Sequence, residues 1–276
     1  MPELPEVETT INELKLIIIN KYIDKILVFT DSLRFPINKN NLKKVEKSKI
    51  IKVLRRAKYI LIFFLNNYTL IIHLCMSGRL IFKKKIIKKN KHDHIILRFK
   101  KNLNIIFNDP RKFVIVDVIK KNSLFNSSYL KKLGIEPLSK KFSCKAFEKI
   151  LNNKKTNIKN ILLNQSLIAG LGNIYACESL FEAGISPLKL ANSLNKKNIK
   201  ILKLKIKKIL KKSIKSNGSS INDYKTPTGS LGNFQNNFKV YNREGKKCKN
   251  FNCKKKILRV VIGGRSTYYC RNCQKN

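Results

Sequence analysis

Four cysteines near the C-terminal end limit the fold of this 276-residue chain more than any other feature. Cys248 and Cys253 have four residues between them, Cys270 and Cys273 have two, and sixteen separate the pairs. Two paired knuckles at such spacing suit a tetrahedral four-thiolate site for one structural Zn2+ per chain, because each tight turn brings its pair onto the same metal. Disulfides or free thiols are the alternative, disfavoured in a cytosolic chain. Between the pairs, Ile257–Ile262 and Ser266–Cys270 read as two strands of a hairpin turning at Gly263-Gly264-Arg265, with Arg265 at the tip. Cys75, Cys144 and Cys177 lie in apolar or helical stretches and read as small core residues.

The length suits two domains plus a small module. Hydrophobic residues make up 43% of the chain, enough for real cores. The longest clean apolar run, Ile60–Leu65, is far short of the roughly 20 residues that span a membrane. Glu3, Glu6 and Glu8 stand where a secretory signal is basic, so a cytoplasmic protein with no membrane partner is expected. Sixty Lys and Arg against sixteen Asp and Glu give a formal charge of +44. Nucleic acid is the obvious polyanionic partner, with a strong salt dependence through counterion release. Lysine, isoleucine and asparagine enrichment throughout the chain also fits compositional drift. Charge therefore leaves an enzyme and a packaging protein equally open.

Helical spacing of Val7, Ile11, Leu14 and Ile18 predicts an amphipathic helix from Pro5 to about Ile19, with Pro5 in its first turn. Strands are predicted near Ile23–Phe29, Tyr59–Leu65, Thr69–Cys75, Ile95–Phe99, Asn104–Phe107 and Phe113–Ile119, with hairpin turns at Asn66-Asn67 and Lys101-Asn102. This is a β-sandwich pattern with one leading helix, over residues 1–133. Residues 134–143 read as a linker. From Cys144 the period is helical, ending in a basic helix over Ile199–Ile214. Ser216–Gly232 is rich in Ser, Gly, Asn and Thr and reads as a mobile loop, closing a helical domain over 144–237; residues 238–276 hold the cysteine module.

The opening Met1-Pro2-Glu3-Leu4-Pro5-Glu6 carries chemistry. Pro2 is small enough to follow a removable initiator methionine, which would leave a secondary amine at the terminus. An α-amino group has a pKa near 7.7–8.0, so more of it is unprotonated at neutral pH than of a lysine. Such an amine can attack a carbon and form an imine, and Glu3 beside it can exchange protons with the reacting centre. A frayed terminus with Pro5 starting a helix is the bland alternative.

That opening, with RRAKY at Arg55–Tyr59, IIHLCMSGRL at Ile71–Leu80, KHDH at Lys91–His94, NDPRKF at Asn108–Phe113, GLGNIYACESLFEAGISP at Gly170–Pro187 and STYYCRNCQK at Ser266–Lys275, resembles the formamidopyrimidine-DNA glycosylases. The resemblance runs from Pro2 to Gln274. It implies an α+β multidomain fold: an N-terminal β-sandwich with a leading helix, a helix–two-turns–helix domain, and a C-terminal zinc-ribbon β-hairpin. The implied activity is excision of oxidised purines from damaged double-stranded DNA by a monomer, with cleavage of the abasic site by β,δ-elimination. Pro2 would be the nucleophile and Glu3 the acid/base. Lys58, which reads as the start of an apolar strand, and Arg265 would assist elimination. His92, Lys155 and Asn173 would contact DNA, Asn173 from a helix N-terminus that also suits it as a plain cap. Met76, Arg111 and Phe113 would fill the space left by a flipped base, although Met76 and Phe113 taken alone read as core. Glu6 would orient the N-terminal region, and His73 and His94 would support structure. CKNFNC is longer than the family's usual first knuckle, which puts that knuckle's shape in question. Two rivals stay open: an endonuclease VIII-like enzyme acting on oxidised pyrimidines, and a DNA-binding protein whose catalysis has decayed.

Overall fold

In the computed structural model, which describes residues 1–85, 88–220 and 224–275, the leading helix α1 spans Leu4–Ile18. Its N-terminus is closed by a reciprocal capping box: the Glu3 carboxylate accepts the Glu6 N–H, and the Glu6 carboxylate accepts the Glu3 N–H at 2.9 Å. That satisfies two amides a helix start otherwise leaves unpaired. Val7, Ile11, Leu14 and Ile18 are buried as one stripe. Each contributes about 1.5–3 kcal/mol of transfer free energy, an upper estimate because unfolded chains already bury some surface.

That stripe packs on two four-stranded antiparallel sheets. One has the order β1 (Ile23–Val28), β6 (Asp93–Phe99), β7 (Asn104–Asn108), β5 (Arg79–Lys83); the other has β2 (Ile50–Arg56), β3 (Tyr59–Phe64), β4 (Tyr68–His73), β8 (Ile115–Lys120). Ile26, Ile95 and Phe107 from the first and Ile60, Phe64, Ile72 and Val118 from the second join α1 in one core. Asn67, Lys101 and Asn102 take positive φ in the expected hairpin turns. Among the described residues, two strands and one α-helix lie outside the sequence prediction: β2, β5 and a short α2 (Lys39–Lys43). Both strands mix charge with apolar residues, which masks their period; pairing with β3 and β7 makes them strands.

The contact pattern divides the described chain into Met1–Lys132 with Ser216–Asn233, and Leu133–Lys215 with Phe234–Asn276. In the second unit, α3 (Cys144–Leu151), α4 (Ile158–Leu163), α5 (Asn173–Glu182) and the long basic α6 (Lys196–Lys215) form a helical bundle, α6 burying Ile199, Leu202, Ile206, Ile209 and Leu210. The turns between α4 and α5 are stapled by Gln165, whose amide donates to Leu171 O at 2.7 Å and accepts Gly170 N–H at 2.8 Å. Strands β9 (Leu258–Ile262) and β10 (Arg265–Tyr269) form the terminal hairpin. No helix of the described residues is long and apolar enough to cross a membrane.

The segment 216–232, expected as a mobile loop, is fastened to α1 and β5 where it is described. Ser219 N–H donates to Glu6 Oε1 at 2.8 Å, Tyr224 Oη donates to Glu6 O at 2.8 Å, Thr228 N–H donates to Glu13 Oε2 at 3.0 Å, and Phe82 N–H donates to Pro227 O at 2.8 Å. Gly218 sits at φ +76°, and a Cβ there would stand 2.9 Å from Glu6 Oε1. Composition suggested mobility because Ser, Gly and Asn carry little apolar area; backbone hydrogen bonds to acidic side chains hold the segment instead. Residues 221–223 of that expected loop lie outside the described residues.

Candidate active site and metal centre

In the first unit the N-terminal backbone is buried. Pro2 and Glu3 are inaccessible apart from a few per cent, and only Met1 is exposed. Burial lowers the pKa of the Met1 α-amino group, opposed by Glu3 and Glu6 and assisted by Lys58 and Arg111. The charges that act on this terminus are thus two carboxylates and two expected site cations. Glu6 has a second task that sequence reading left vague: one carboxylate oxygen holds the Glu3 N–H and the other the Ser219 N–H.

Lys58 does not begin a strand. It occupies the two-residue turn between Arg56 and Tyr59, which pair across β2 and β3, and it is buried. Its neighbour Ala57 takes φ +52°, an unusual conformation for a residue with a Cβ. Arg55 pins the turn, donating to Ala57 O at 3.0 Å and to Glu8 Oε2 on α1 at 2.6 Å. In sequence Arg55 and Glu8 are one of many cations and a helix-face carboxylate; only their pairing gives them a part.

Asp109 was also missed, and it organises both expected wedge turns. Its Oδ2 accepts Phe113 N–H at 2.5 Å and Val114 N–H at 2.8 Å; its Oδ1 accepts Arg111 N–H at 3.1 Å and the Ser77 hydroxyl at 2.5 Å. Ser77 adjoins Met76, so one buried carboxylate ties the Met76 turn to the Arg111–Phe113 turn. Gly78 completes the fit, since a Cβ there would stand 2.1 Å from Val114 Cγ2. Met76 is 51% exposed, and the Arg111 guanidinium lies over the Phe113 ring at 4.6 Å. An exposed methionine and an arginine–aromatic pair on rigid turns are a poor core and a good inserting surface.

His92 is half-buried beside this turn, its carbonyl accepting Asp109 N–H at 3.0 Å. His94 Nε2 donates to Asp109 O at 2.8 Å. His73 Nδ1 accepts Cys75 N–H at 3.1 Å and lies 3.0 Å from Cys75 Sγ, and burial with Lys58 and Arg34 pushes its pKa down to about 4. The unfolded chain therefore binds a proton at His73 that the native state refuses between about pH 6.5 and 4. Stability from this residue is present above about 6.5 and lost as pH falls, by about 3 kcal/mol in all. Urea unfolding at pH 7 and about pH 4.5 should show that loss in the wild type and a smaller one in His73→Gln.

In the second unit, Lys155 is exposed on the connection before α4. Asn173 opens α5 behind Gly172, and its Nδ2 donates to Ser266 O at 2.9 Å. Arg265 is the exposed first residue of β10, paired with Ile262; the turn proper is Gly263-Gly264, both at positive φ as a two-residue hairpin loop requires.

Cys248, Cys253, Cys270 and Cys273 bring their Sγ atoms within 4.8 Å of one another, with Cys248 and Cys273 at 3.8 Å and Cys253 and Cys270 at 3.6 Å. Zn–S bonds of about 2.3 Å in a tetrahedron give sulfur–sulfur edges of about 3.8 Å. The long first knuckle closes without distortion: Cys248 N–H donates to Lys255 O at 2.9 Å and Cys253 N–H to Asn250 O at 3.0 Å. The extra residues bulge outward, leaving Phe251 fully exposed. Of the other cysteines, Cys75 and Cys177 are buried and Cys144 is half-buried at the start of α3.

Family models match residues 1–116 as a formamidopyrimidine-DNA glycosylase N-terminal domain, 133–225 as a formamidopyrimidine-DNA glycosylase H2TH domain, and 245–276 as a zinc finger found in FPG and IleRS. A formamidopyrimidine-DNA glycosylase of Wolbachia pipientis subsp. Culex pipiens is 45% identical over 99% of this chain and 100% of its own length. The chain belongs to the formamidopyrimidine-DNA glycosylase family. A relative of that name from Zymomonas mobilis is 44% identical over the full length of both chains. The Lactococcus lactis Fpg in complex with abasic-site DNA matches at TM-score 0.91, with 35% identity and complete coverage of both chains. Members of the family are base-excision-repair DNA glycosylases with abasic-site lyase activity that bind damaged DNA as single chains. The α+β architecture and one structural zinc on the four cysteines agree with membership.

Proposed function

We propose that the chain excises oxidised purines, 8-oxoguanine and formamidopyrimidines, from duplex DNA and cleaves the abasic product by β,δ-elimination through an imine on Pro2. The observation that supports this reading is the setting of the terminus: Pro2 and Glu3 are buried at the start of α1, Glu3 and Glu6 hold each other's backbone amides there, and the charges of Lys58 and Arg111 reach the same terminus. Once Met1 is removed, the Pro2 nitrogen attacks C1′ of the damaged nucleotide and the C1′–base bond breaks. Glu3 supplies a proton to the opening sugar and later removes one. The resulting imine acidifies the C2′ proton, and its loss expels the 3′-phosphate; a second elimination expels the 5′-phosphate. Lys58 lies on the turn next to the terminus and assists these proton transfers, and Arg265 contacts phosphate at the lesion during the second.

Binding follows from the same residues. Met76, Arg111 and Phe113, rigidified by Asp109, fill the gap left by the extruded base and offset an unstacking cost of a few kcal/mol. Lys155, His92 and the α5 N-terminus at Asn173 hold phosphates. Zinc is structural: with all four ligands from cysteine, its chemistry is to fold the ribbon under the hairpin.

The test is a panel of duplexes carrying 8-oxoguanine, a formamidopyrimidine, thymine glycol or no damage, with both product ends identified. The purine lesions should be cut with multiple turnover, leaving phosphate at both ends. Preference for thymine glycol would move the chain to the pyrimidine-directed branch. Specific binding without cleavage would mark a decayed enzyme.

A further inference from the structure

We propose that Lys159 is a positioning residue for Arg265, acting through the Thr267 hydroxyl. Lys159 lies in the first turn of α4 and is completely buried, in a chain whose lysines are mostly solvated. Its ammonium donates to Thr267 Oγ1 and lies 3.4 Å from Ser266 O. Thr267 is itself completely buried, and its hydroxyl donates to the Arg265 carbonyl at 3.1 Å. The direction of this relay is forced. An ammonium has three donors and no acceptor, so the hydroxyl must accept from Lys159 and spend its own proton on Arg265 O. The backbone of Arg265 is thereby held by a charge-assisted chain that starts on another element.

Two further contacts make this a seat for the hairpin. Asn173, at the start of α5, donates to Ser266 O at 2.9 Å. At the hairpin's tip, a Cβ on Gly263 would stand 2.5 Å from Asn160 Oδ1, so the glycine is what lets the turn lie against α4. Ser266 and Thr267, which follow Arg265, are therefore gripped by the first turns of α4 and α5, while the Arg265 side chain stays exposed. Burying an ammonium costs several kcal/mol unless its hydrogen bonds are made, which a lysine with a purely packing role would not require. Holding a phosphate-facing arginine in register would require it, since misplacement of about 1 Å costs on the order of a hundredfold in rate.

This inference rests on the reading that Arg265 assists the second elimination. The experiment uses full-length, zinc-loaded protein acting on an abasic duplex and measures the ratio of δ to β product. A ratio is unaffected by any loss of folded fraction. Lys159→Met and Thr267→Val should each lower it by about tenfold, Thr267→Ser should restore it, and Arg265→Ala should lower it at least as much. Lys159→Met combined with Arg265→Ala should be no worse than Arg265→Ala, as expected for residues acting as one unit. A normal ratio in Thr267→Val, or additive losses in the double variant, overturns the positioning role while leaving Arg265's intact. A normal ratio in Arg265→Ala overturns the reading beneath it, and the proposal with it. If Lys159→Met does not fold, the Thr267 pair decides the matter alone.

Discussion

Protein whose chain begins at Pro2 should be trapped covalently by borohydride on an 8-oxoguanine duplex, with the adduct mapped by mass spectrometry to Pro2. Pro2→Gly, or protein that retains Met1, should give no adduct and lose lyase activity by on the order of 10²–10⁴. The effect is large because only proline supplies a secondary amine at this position: Pro2→Gly leaves a primary one, and retained Met1 places its own primary amine one residue away. Lys58 is a nearby amine, but a lysine's ordinary pKa is near 10.4 and that of the α-amino group near 8. With Met1 in place, burial lowers the value of its amine and the carboxylates of Glu3 and Glu6 limit how far it falls; those same carboxylates stand beside the amine that Met1 removal leaves on Pro2. The capping box fixes where the terminus points, because Glu3 and Glu6 hold each other's backbone amides at the start of α1. An undiminished adduct in the Met1-retaining protein would sink the amine mechanism.

Cys270→Ser should release the metal and weaken lesion binding by at least about a hundredfold, since a structural zinc contributes on the order of 10–16 kcal/mol of apparent binding free energy to the fold it closes. β9 and β10 form a two-stranded sheet, an arrangement only marginally stable by itself. Its anchors to α4 and α5, through Lys159 and Asn173, hold the flank of the hairpin and do not close the cysteine knuckles. The Glu178 carboxylate accepts backbone N–H groups of Lys239, Val240 and Tyr241 at 2.8–3.1 Å, and Gln274 donates to Ile185 O at 2.8 Å. Losing one of four thiolates should therefore loosen the knuckles under the hairpin that carries Arg265. Metal content by mass spectrometry and affinity for an abasic duplex check this together; full affinity in metal-free protein would show that the ribbon folds without zinc.

Strongly periodic segments were legible from residues alone. α1 and α6 were placed within a few residues because Val7, Ile11, Leu14 and Ile18, and Ile199 to Leu210, repeat every three or four positions. The zinc site was legible because its ligands carry their own spacing, and the question over the long first knuckle resolved in the geometry of its N–H donors. β2 and β5 were not, because an edge strand can show charge on its open face; Ile50–Arg56 and Arg79–Lys83 both do. The turn holding Lys58 reads as a strand end because Ala57 gives no sign of a positive φ.

By itself the sequence determined the metal site and the local elements: four thiolates at their own spacing, a leading helix with carboxylates in its first turn, strands and a basic helical segment. Each of those is local, set by residue type and by spacing over short stretches of chain. What only the tertiary structure decided is how distant, ordinary residues hold those groups still. Glu6 grips Ser219, Asp109 joins the Met76 turn to Arg111 and Phe113, Arg55 fastens the Lys58 turn to Glu8, and Lys159 reaches Arg265 through Thr267. In sequence these residues are single charges among sixty cations and sixteen acids. A buried charge acquires meaning only from the partners that folding brings to it, because burial makes each missing hydrogen bond costly and each one made directional.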